Sequence, residues 1–555
     1  MLPNMRRRYL HVGARRVHYL RAGEGPPAVL IHSSPANAFL LQPEIDYLSR
    51  RHTIFTFDTP GFGLSQPLPS QHITVADLAD SLAETLDAIA MPPCPVFGTH
   101  TGAAIALELA VRHPARVTGV VLDGVPAFTD AESCALFGDY FRKIPVTDLG
   151  GQYAAVWTRF RDQSIWFPWS NRQPENLNGY DLGTKESTHL WASMYHVAAD
   201  TYEPAYRAAL LHYGPRALVA AAALDVPAIY TATDTDMLFG HMARLPPLKP
   251  GQEIRHIGTS YEAKRALIAA GFARFGGASV APPDRDAIES SDEVSRQFVD
   301  AADGRQIHLR HAGRVGSDAV LLLHDAPGSA LALEDLVSAL GRTAFVLAPD
   351  LPGCGLSSRF SGQPPSIADY ADDVAALLDR LGIADVAVHG IGFGASVAIE
   401  LANRFPDRVR KLSLCGVLLP EADERAWLSS HYAPPIAIEA DGAHWYRTWL
   451  MLRDSLVWWP WFDRRRAAQR SAPADFGAER LHCWTLDVMG SRESYADLIH
   501  AALSHDAQRA LTRLSAQPDL LLGGTATPLA AYDDRLAALL PNARRIGALE
   551  DAFLC

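Results

Sequence analysis

The chain repeats itself. His32 and His324, Asp58 and Asp350, Gly98 and Gly390, and Asp162 and Asp454 are each 292 positions apart. Local matches hold the same register: DTPGFGLS at 58–65 faces DLPGCGLS at 350–357, and GTHTGAAIALELA at 98–110 faces GIGFGASVAIELA at 390–402. Stacked repeats have periods of roughly 20 to 50 residues, so copies this long are expected to be complete domains, each with its own core. Between Phe275 and Gln297 the sequence GGASVAPPDRDAIESSDEVSR is rich in Gly, Pro, Ser and acidic residues and lacks apolar periodicity, as an exposed linker does. The expected organisation is a domain over 1–276, a linker over 277–295 and a second domain over 296–555.

Composition narrows the partners. Hydrophobic residues make up 48% of the chain and charged residues 20%, enough apolar surface for two cores. A net charge of -12 repels nucleic-acid phosphates and anionic membrane surfaces. The six cysteines are scattered singly, which fits a reducing compartment. No apolar run reaches the roughly 18 residues of a membrane span. The basic start, Arg6-Arg7-Arg8, is not followed by the apolar stretch of a signal peptide. These observations predict a cytoplasmic protein with neither nucleic acid nor membrane as partner.

Within the first copy, RVHYL (16–20), AVLIH (28–32), TIFTFD (53–58), CPVFG (94–98) and VTGVVLDG (117–124) are short, β-branched or aromatic runs, the pattern of strands buried on both faces. ITVADLADSLAETLDAI and GAAIALELAVRHP carry apolar residues at helical spacing between the later strands. Alternation of this kind predicts an α/β fold, a mostly parallel sheet with helices on both faces.

A strand ending in His-x-x-Pro, a strand ending in Asp-x-Pro-Gly-x-Gly-x-Ser and a strand running into Gly-x-x-x-Gly follow one another in both copies. Each copy thereby resembles the alpha/beta-hydrolase fold superfamily, with Gly98-Thr99-His100-Thr101-Gly102 and Gly390-Ile391-Gly392-Phe393-Gly394 at the nucleophile elbow. The resemblance covers nearly the whole chain and implies two tandem alpha/beta-hydrolase-like domains, each with a helical cap inserted at about 126–225 and 418–515. In that family the middle elbow residue is Ser, Asp or Cys. Here it is His100 in one copy and Gly392 in the other, so both lack the usual nucleophile.

The second copy departs further. Gly392 has no side chain, Thr527 in LLLGGTATPL (520–529) stands where the family's triad acid is expected, and the chain ends at Cys555, within the stretch expected to deliver the catalytic His. It is read as catalytically degenerate. In the first copy VPAIYTATDTDML (226–238) keeps Asp236 at about the acid position, with Asp234 as the alternative. The following segment has no His at the expected loop position, His256 being placed on the preceding strand.

An imidazole on the elbow extends beyond a hydroxymethyl group into the volume of the missing triad His, so His100 is expected to meet Asp236 directly. The product is an acid/base dyad without a separate nucleophile. Backbone N–H groups of Thr101 and of Ser33 or Ser34 are the expected oxyanion site. His32 recurs as His324 and is expected to hold its loop rather than react.

The caps share a signature: Trp157, Arg161, Asp162, Trp166, Pro168 and Trp169 recur as Trp449, Arg453, Asp454, Trp458, Pro460 and Trp461. His189 and Trp191 recur as His482 and Trp484, whereas Tyr195 and His196 face Val488 and Met489. Trp166, His189, Trp191, Tyr195, His196 and Arg161 are the candidate pocket residues, Arg161 for an anionic group. The persistence of most of them in the degenerate copy favours a structural role in the cap for Arg161, Asp162 and the Trp-x-Pro-Trp turn.

No metal spacing and no dinucleotide fingerprint is present, so neither metal nor cofactor is expected. The expected activity is hydrolysis or carbon–carbon cleavage of a small aromatic or carbonyl-containing metabolite. The alternative is a catalytically inactive ligand-binding or scaffolding pseudo-hydrolase. A duplicated, self-pairing ancestor would leave the two domains as an intramolecular pseudo-dimer. Residues 1–276 expressed alone should then be insoluble or self-associating by size-exclusion chromatography; a stable monomer counts against the pairing.

Overall fold

Val29-Leu30-Ile31 and Thr53–Phe57 have no polar face to give to water, and both are buried along their whole length as inner strands. The computed structural model describes residues 5–70, 72–179, 181–284, 287–470, 473–522 and 527–547. The first sheet contains β1 (Met5–Val12), β2 (Arg15–Ala22), β3 (Pro27–Ile31), β4 (Thr53–Phe57), β5 (Cys94–Thr99), β6 (Val117–Asp123), β7 (Ala228–Thr231) and β8 (Gln252–Ile254). Its order is β1-β2-β4-β3-β5-β6-β7-β8. β1–β2 and β2–β4 are antiparallel, and the pairs from β4 to β8 are parallel.

The second sheet contains β9 (Ser291–Asp300), β10 (Gln306–Gly313), β11 (Ala319–Leu323), β12 (Phe345–Pro349), β13 (Val386–Ile391), β14 (Val409–Cys415), β15 (Asp519–Leu521) and β16 (Arg544–Ile546). Its order repeats that of the first, strand for strand. The duplication read from the sequence is thus a duplication of topology. The chain divides into one unit of residues 1–144 and 154–285 and another of 145–153 and 286–555.

Helices follow from the same local rules in both copies. Thr74 caps the helix Val75–Ala88, its hydroxyl accepting from the Asp77 N–H at 3.2 Å while the Asp77 carboxylate accepts from the Thr74 N–H at 2.7 Å. Ser366 and Asp369 repeat that box on the helix Ile367–Arg380. The segments between β6 and β7 and between β14 and β15 hold the cap helices.

The Arg6–Arg8 stretch belongs to β1, where Arg8 is buried and its Nε donates to Asp284 at 3.0 Å. Two readings change. The linker expected over 277–295 is shorter, because Asp284 is tied to Arg8 and β9 begins at Ser291. Backbone pairing with β10 satisfies the polar groups of that strand. β8 ends at Ile254, so His256 lies in the exposed loop beyond it, its ring 5.6 Å from that of Phe239. The end of the chain, 548–555 with Cys555, lies outside the described residues. Among the described residues no helix is long and apolar enough to cross a membrane and no group of His, Cys, Asp and Glu could hold a metal.

The Asp-x-Pro-Gly-x-Gly-x-Ser turn is a clamp. Asp58 Oδ2 accepts from the His18 ring at 2.8 Å and from the Leu64 N–H at 2.9 Å, and Oδ1 accepts from the Ala38 N–H at 2.8 Å. Ser65 Oγ, the last residue of the motif, accepts from the His18 N–H at 2.9 Å. Asp350 and Ser357 repeat the clamp on His308, with Arg310 added at 3.1 Å. Burial would push the Asp58 carboxyl pKa up, but the His18 ring and the N–H donors outweigh it and hold it below the usual carboxylate range. The group therefore stabilises the fold above its unfolded value of about 4, and that contribution disappears as pH falls through the depressed folded value. Asp58→Ala should cost about 3 to 5 kcal/mol of unfolding free energy in denaturant titrations, as breaking a buried pair does. Asp58→Asn should flatten the fall of the thermal midpoint between about pH 5 and 3.

Candidate active site

Parallel pairing of β3 and β5 sets Ile31 opposite Gly98. The loops that leave these strands, with Ser33-Ser34 on one and His100 on the other, therefore start side by side at the C-terminal edge of the sheet, where open α/β sheets bind ligands. His100 closes β5 and precedes the helix Thr101–Arg112, with φ 50° and ψ -110°. That is a left-handed value rare for a residue with a side chain, held by His100 N–H donating to Asp123 O at 2.8 Å.

His100 Nε2 lies 2.7 Å from Asp236 Oδ2, with 32% and 14% of the two side chains exposed. The ring reaches Asp236, in the loop after β7, by passing the end of β6, and Gly124 makes room for it. A Cβ on Gly124 would stand 2.6 Å from His100 Cδ2 and 3.0 Å from Nε2. Asp236 Oδ1 accepts from the Leu238 N–H at 2.8 Å, which fixes the carboxylate from the other side. Burial alone would push the imidazole pKa down, but the Asp236 charge and hydrogen bond outweigh it and hold it above the ordinary histidine value. Burial likewise works to raise Asp236, and His100 outweighs it, so the carboxylate sits below its usual range. Because a carboxylate only accepts, Nε2 carries the hydrogen and Nδ1 holds the free lone pair. Nδ1 has no hydrogen-bond partner among the described residues. Asp234, the alternative acid, is exposed, its N–H bonded to Gly258 O.

A cavity of about 30 Å³ lies against His100, lined by Ser34, Thr101, Phe128, Phe167, Tyr206 and Met237 among others. It holds roughly two water molecules. The buried Ser34 hydroxyl has no hydrogen-bond partner among the described residues. Ser33 is buried but does not line the cavity, its carbonyl accepting from the His32 ring at 2.9 Å. His32 Nε2 in turn accepts from the Thr59 N–H at 3.0 Å, so this histidine is a loop brace.

The second copy shows what the cradle between these loops can bind. Asp325 Oδ1 accepts from the N–H groups of Phe393 at 2.9 Å and Ala326 at 2.8 Å, so one carboxylate oxygen fills it. Those donors correspond to Thr101 and Ser34, which chooses Ser34 over Ser33 for the second N–H. Burial raises the Asp325 pKa to about 6 against these donors and Thr527. A Cβ on Gly392, at φ 58°, would overlap the Asp325 carboxylate, so an elbow side chain and Asp325 exclude each other. The first copy has Ser33 in place of Asp325.

The cap residues expected in the pocket do not line this cavity. Arg161 is on the exposed side of the helix Gly151–Ile165, and Asp162 pairs instead with Arg172 at 2.7 Å, as Asp454 does with Arg464 at 2.8 Å. Trp166 forms an antiparallel bridge with Leu177, a fold of the cap on itself. Trp191 stacks on Phe160 at 6.1 Å, His189 is half-buried on the same helix, and Tyr195 and His196 are buried in the cap interior. Aromatic residues shared by both caps pack with one another before they face a ligand. A cavity of about 690 Å³ lies in the second unit between Ile367, Glu400, His500 and Arg513, and Gly392 does not line it.

Two charged groups near the dyad went unread in the sequence. Lys264 Nζ lies 3.1 Å from Asp123 Oδ2, both largely buried, at the β6 end beside the elbow. Burial opposes the Lys264 charge, but Asp123 and Glu44 outweigh it and keep its pKa above the ordinary lysine value. The signal was available, since Asp123 faces Cys415 in the second copy.

The family model described as the alpha/beta hydrolase fold matches residues 26–156 and again 318–450. Part of the chain is 32% identical over 118 residues to (E)-2-((N-methylformamido)methylene)succinate hydrolase of Acinetobacter baylyi, covering 21% of this chain and 44% of that protein. It is also 32% identical over 158 residues to 2-hydroxymuconate semialdehyde hydrolase of Pseudomonas putida, covering 27% and 54%. The chain spans about half the length of these relatives. The epoxide hydrolase VrEH1 of Vigna radiata superposes with a TM-score of 0.38 at 18% identity, over 50% of this chain and 98% of that one.

Gly392→Ser, which places a hydroxyl on the second elbow, should lower unfolding stability by about 1 to 3 kcal/mol through overlap with Asp325. In the double variant with Asp325→Ser most of that loss should disappear. A double-mutant cycle in denaturant measures the coupling, expected to exceed about 1 kcal/mol.

Proposed function

Because this chain consists of two tandem alpha/beta-hydrolase-fold units, we propose that the first is a hydrolytic enzyme in which His100, oriented by Asp236, replaces the usual elbow nucleophile as general base. The second is a non-catalytic partner. The 2.7 Å contact between His100 Nε2 and Asp236 Oδ2 carries this reading. A carboxylate on Nε2 fixes the tautomer, raises the basicity of Nδ1 and stabilises the imidazolium that forms.

In the proposed cycle Nδ1 takes a proton from a water molecule, and the hydroxide adds to a substrate carbonyl carbon. The oxyanion is held by the Thr101 and Ser34 N–H groups, the pair whose equivalents hold a carboxylate oxygen in the second copy. Collapse of the tetrahedral species breaks the bond to the leaving group, which receives the proton from Nδ1, and the imidazole returns to its neutral form. Where the leaving group is carbon, the same sequence cleaves a carbon–carbon bond. The apolar lining of Phe128, Phe167 and Met237 suits a small aromatic or carbonyl-containing compound, for which the cap must open well beyond the cavity of about 30 Å³. The relatives' names, both hydrolases, support the reaction class. No cofactor enters the cycle.

The second reading, a binding pseudo-hydrolase, is favoured by the cavity of only about 30 Å³. Incubating a metabolite extract with wild type and with His100→Ala separates the two. Depletion by wild type alone supports catalysis, and retention of a compound by both without depletion supports binding.

On the substrate so found, His100→Ala should lose about 10²- to 10⁴-fold in rate. Activity requires the neutral imidazole, whose pKa is raised, so the rate should fall as pH drops through a value above about 6.5. Asp236→Asn removes the main group that raises it and leaves burial opposed only by the Asp123 charge, so the acid limb should move to lower pH while the rate falls. A fluorophosphonate should label neither elbow, since neither has a hydroxyl; an adduct on His100 would make the imidazole a nucleophile instead.

A further inference from the structure

The cap of the first unit buries a guanidinium that no acceptor answers. Arg159, on the helix Gly151–Ile165, is 2% exposed, and its Nη1 and Nη2 are buried with no hydrogen-bond partner among the described residues. Four rings surround it: its central carbon lies 4.6 Å from the ring centre of Phe160, 4.9 Å from Tyr195, 5.3 Å from Trp169 and 6.0 Å from Tyr140. Ring faces attract a cation but offer its N–H groups no acceptor oxygen in the plane of the fork. A buried, ionised group left unpaired is strongly unfavourable, and guanidinium does not escape by losing its proton.

The surroundings connect Arg159 to the dyad. Tyr140 lies against the guanidinium, its hydroxyl 2.8 Å from that of Tyr206, and its ring is 6.0 Å from that of Phe167. Tyr206 and Phe167 both line the His100 cavity. The second copy supplies the contrast: Met451 stands at the register of Arg159, between the shared Trp449 and Arg453, in the unit whose elbow is Gly392. The cation is confined to the copy that keeps an imidazole.

We propose that Arg159 is the anion-recognising end of the first unit's binding site and takes a carboxylate of the substrate. The inference deepens the catalytic reading and rests on it for the word substrate. Two carboxylate oxygens match Nη1 and Nη2, and the Tyr140 and Tyr206 hydroxyls are further donors once their mutual bond opens. Tyr140, Tyr206 and Phe167 separate Arg159 from His100, so a ligand whose carboxylate meets Arg159 and whose carbonyl faces Nδ1 of His100 requires these rings to part. A monocarboxylate carrying its carbonyl several bonds away is the class that satisfies both.

The test is a binding measurement on the full chain at pH 8, with sodium benzoate and benzamide as charged and neutral probes of one shape. Wild type should bind benzoate at least about tenfold tighter than benzamide, the scale of a charge-assisted hydrogen-bonded pair. Arg159→Met, the residue of the second copy, should lose that preference without a fall in thermal midpoint. Arg159→Lys, which keeps the charge without the fork, should retain part of it. His100→Ala, whatever its overall affinity, should keep the preference for benzoate over benzamide. Equal binding of the two probes by wild type, binding of neither, or a preference that survives Arg159→Met overturns the proposal. So does a preference lost only in His100→Ala, since the anion is then on the imidazolium. Turnover unaffected by His100→Ala defeats the dyad and leaves the probe comparison standing.

Discussion

A buried carboxylate holds the loops at the C-terminal edge of each sheet in place. Asp58 ties together the His18 ring on β2, the loop after β3 through Ala38 and the turn after β4 through Leu64. Two of those segments flank Ser33-Ser34, so the cradle for an anionic oxygen inherits its shape from a buried carboxylate–imidazole contact. Asp350 does the same around Asp325. This explains why the motif survives in a copy that has lost its elbow side chain: it maintains the loops, whatever they bind.

The two copies are one scaffold in two states of occupation. In the second, Asp325 supplies its own oxygen to the Phe393 and Ala326 N–H groups and leaves no room beside Gly392 for a side chain. In the first, the corresponding N–H groups face a small cavity, and the elbow carries a ring that turns away from the cradle toward Asp236. Filling the same hole from within and leaving it open differ by one residue after the loop histidine, Asp325 against Ser33.

How much of this can be read in the sequence depends on whether the cause is local. The inner strands are legible because both faces are buried and their runs are mostly β-branched or aromatic, and the elbow because Gly98 and Gly102 fix a spacing. β1 is not, because Arg6-Arg7-Arg8 hides an edge strand whose buried charge is neutralised by Asp284, 276 residues away. The contact of His100 with Asp236 follows from the length of an imidazole. The choice of Ser34 over Ser33 does not, since it depends on which N–H points into the cradle. In the cap, the recurrence of Arg161 and Trp166 in both copies points to a structural role, and Trp166 does fold the cap on itself, whereas the stacking of Trp191 on Phe160 and the burial of Tyr195 and His196 depend on packing that the sequence pattern does not carry. Arg159 lies between the landmarks of the shared signature, and its isolation exists only in three dimensions.

The mutual exclusion of Asp325 and an elbow side chain also bears on descent. From the present second copy, restoring a hydroxyl at Gly392 first meets a filled space, and removing Asp325 first exposes two buried N–H donors with nothing to bind. Either order loses stability before the second change restores it, so a hydroxyl at this elbow is expected to arise only through a coupled pair of changes.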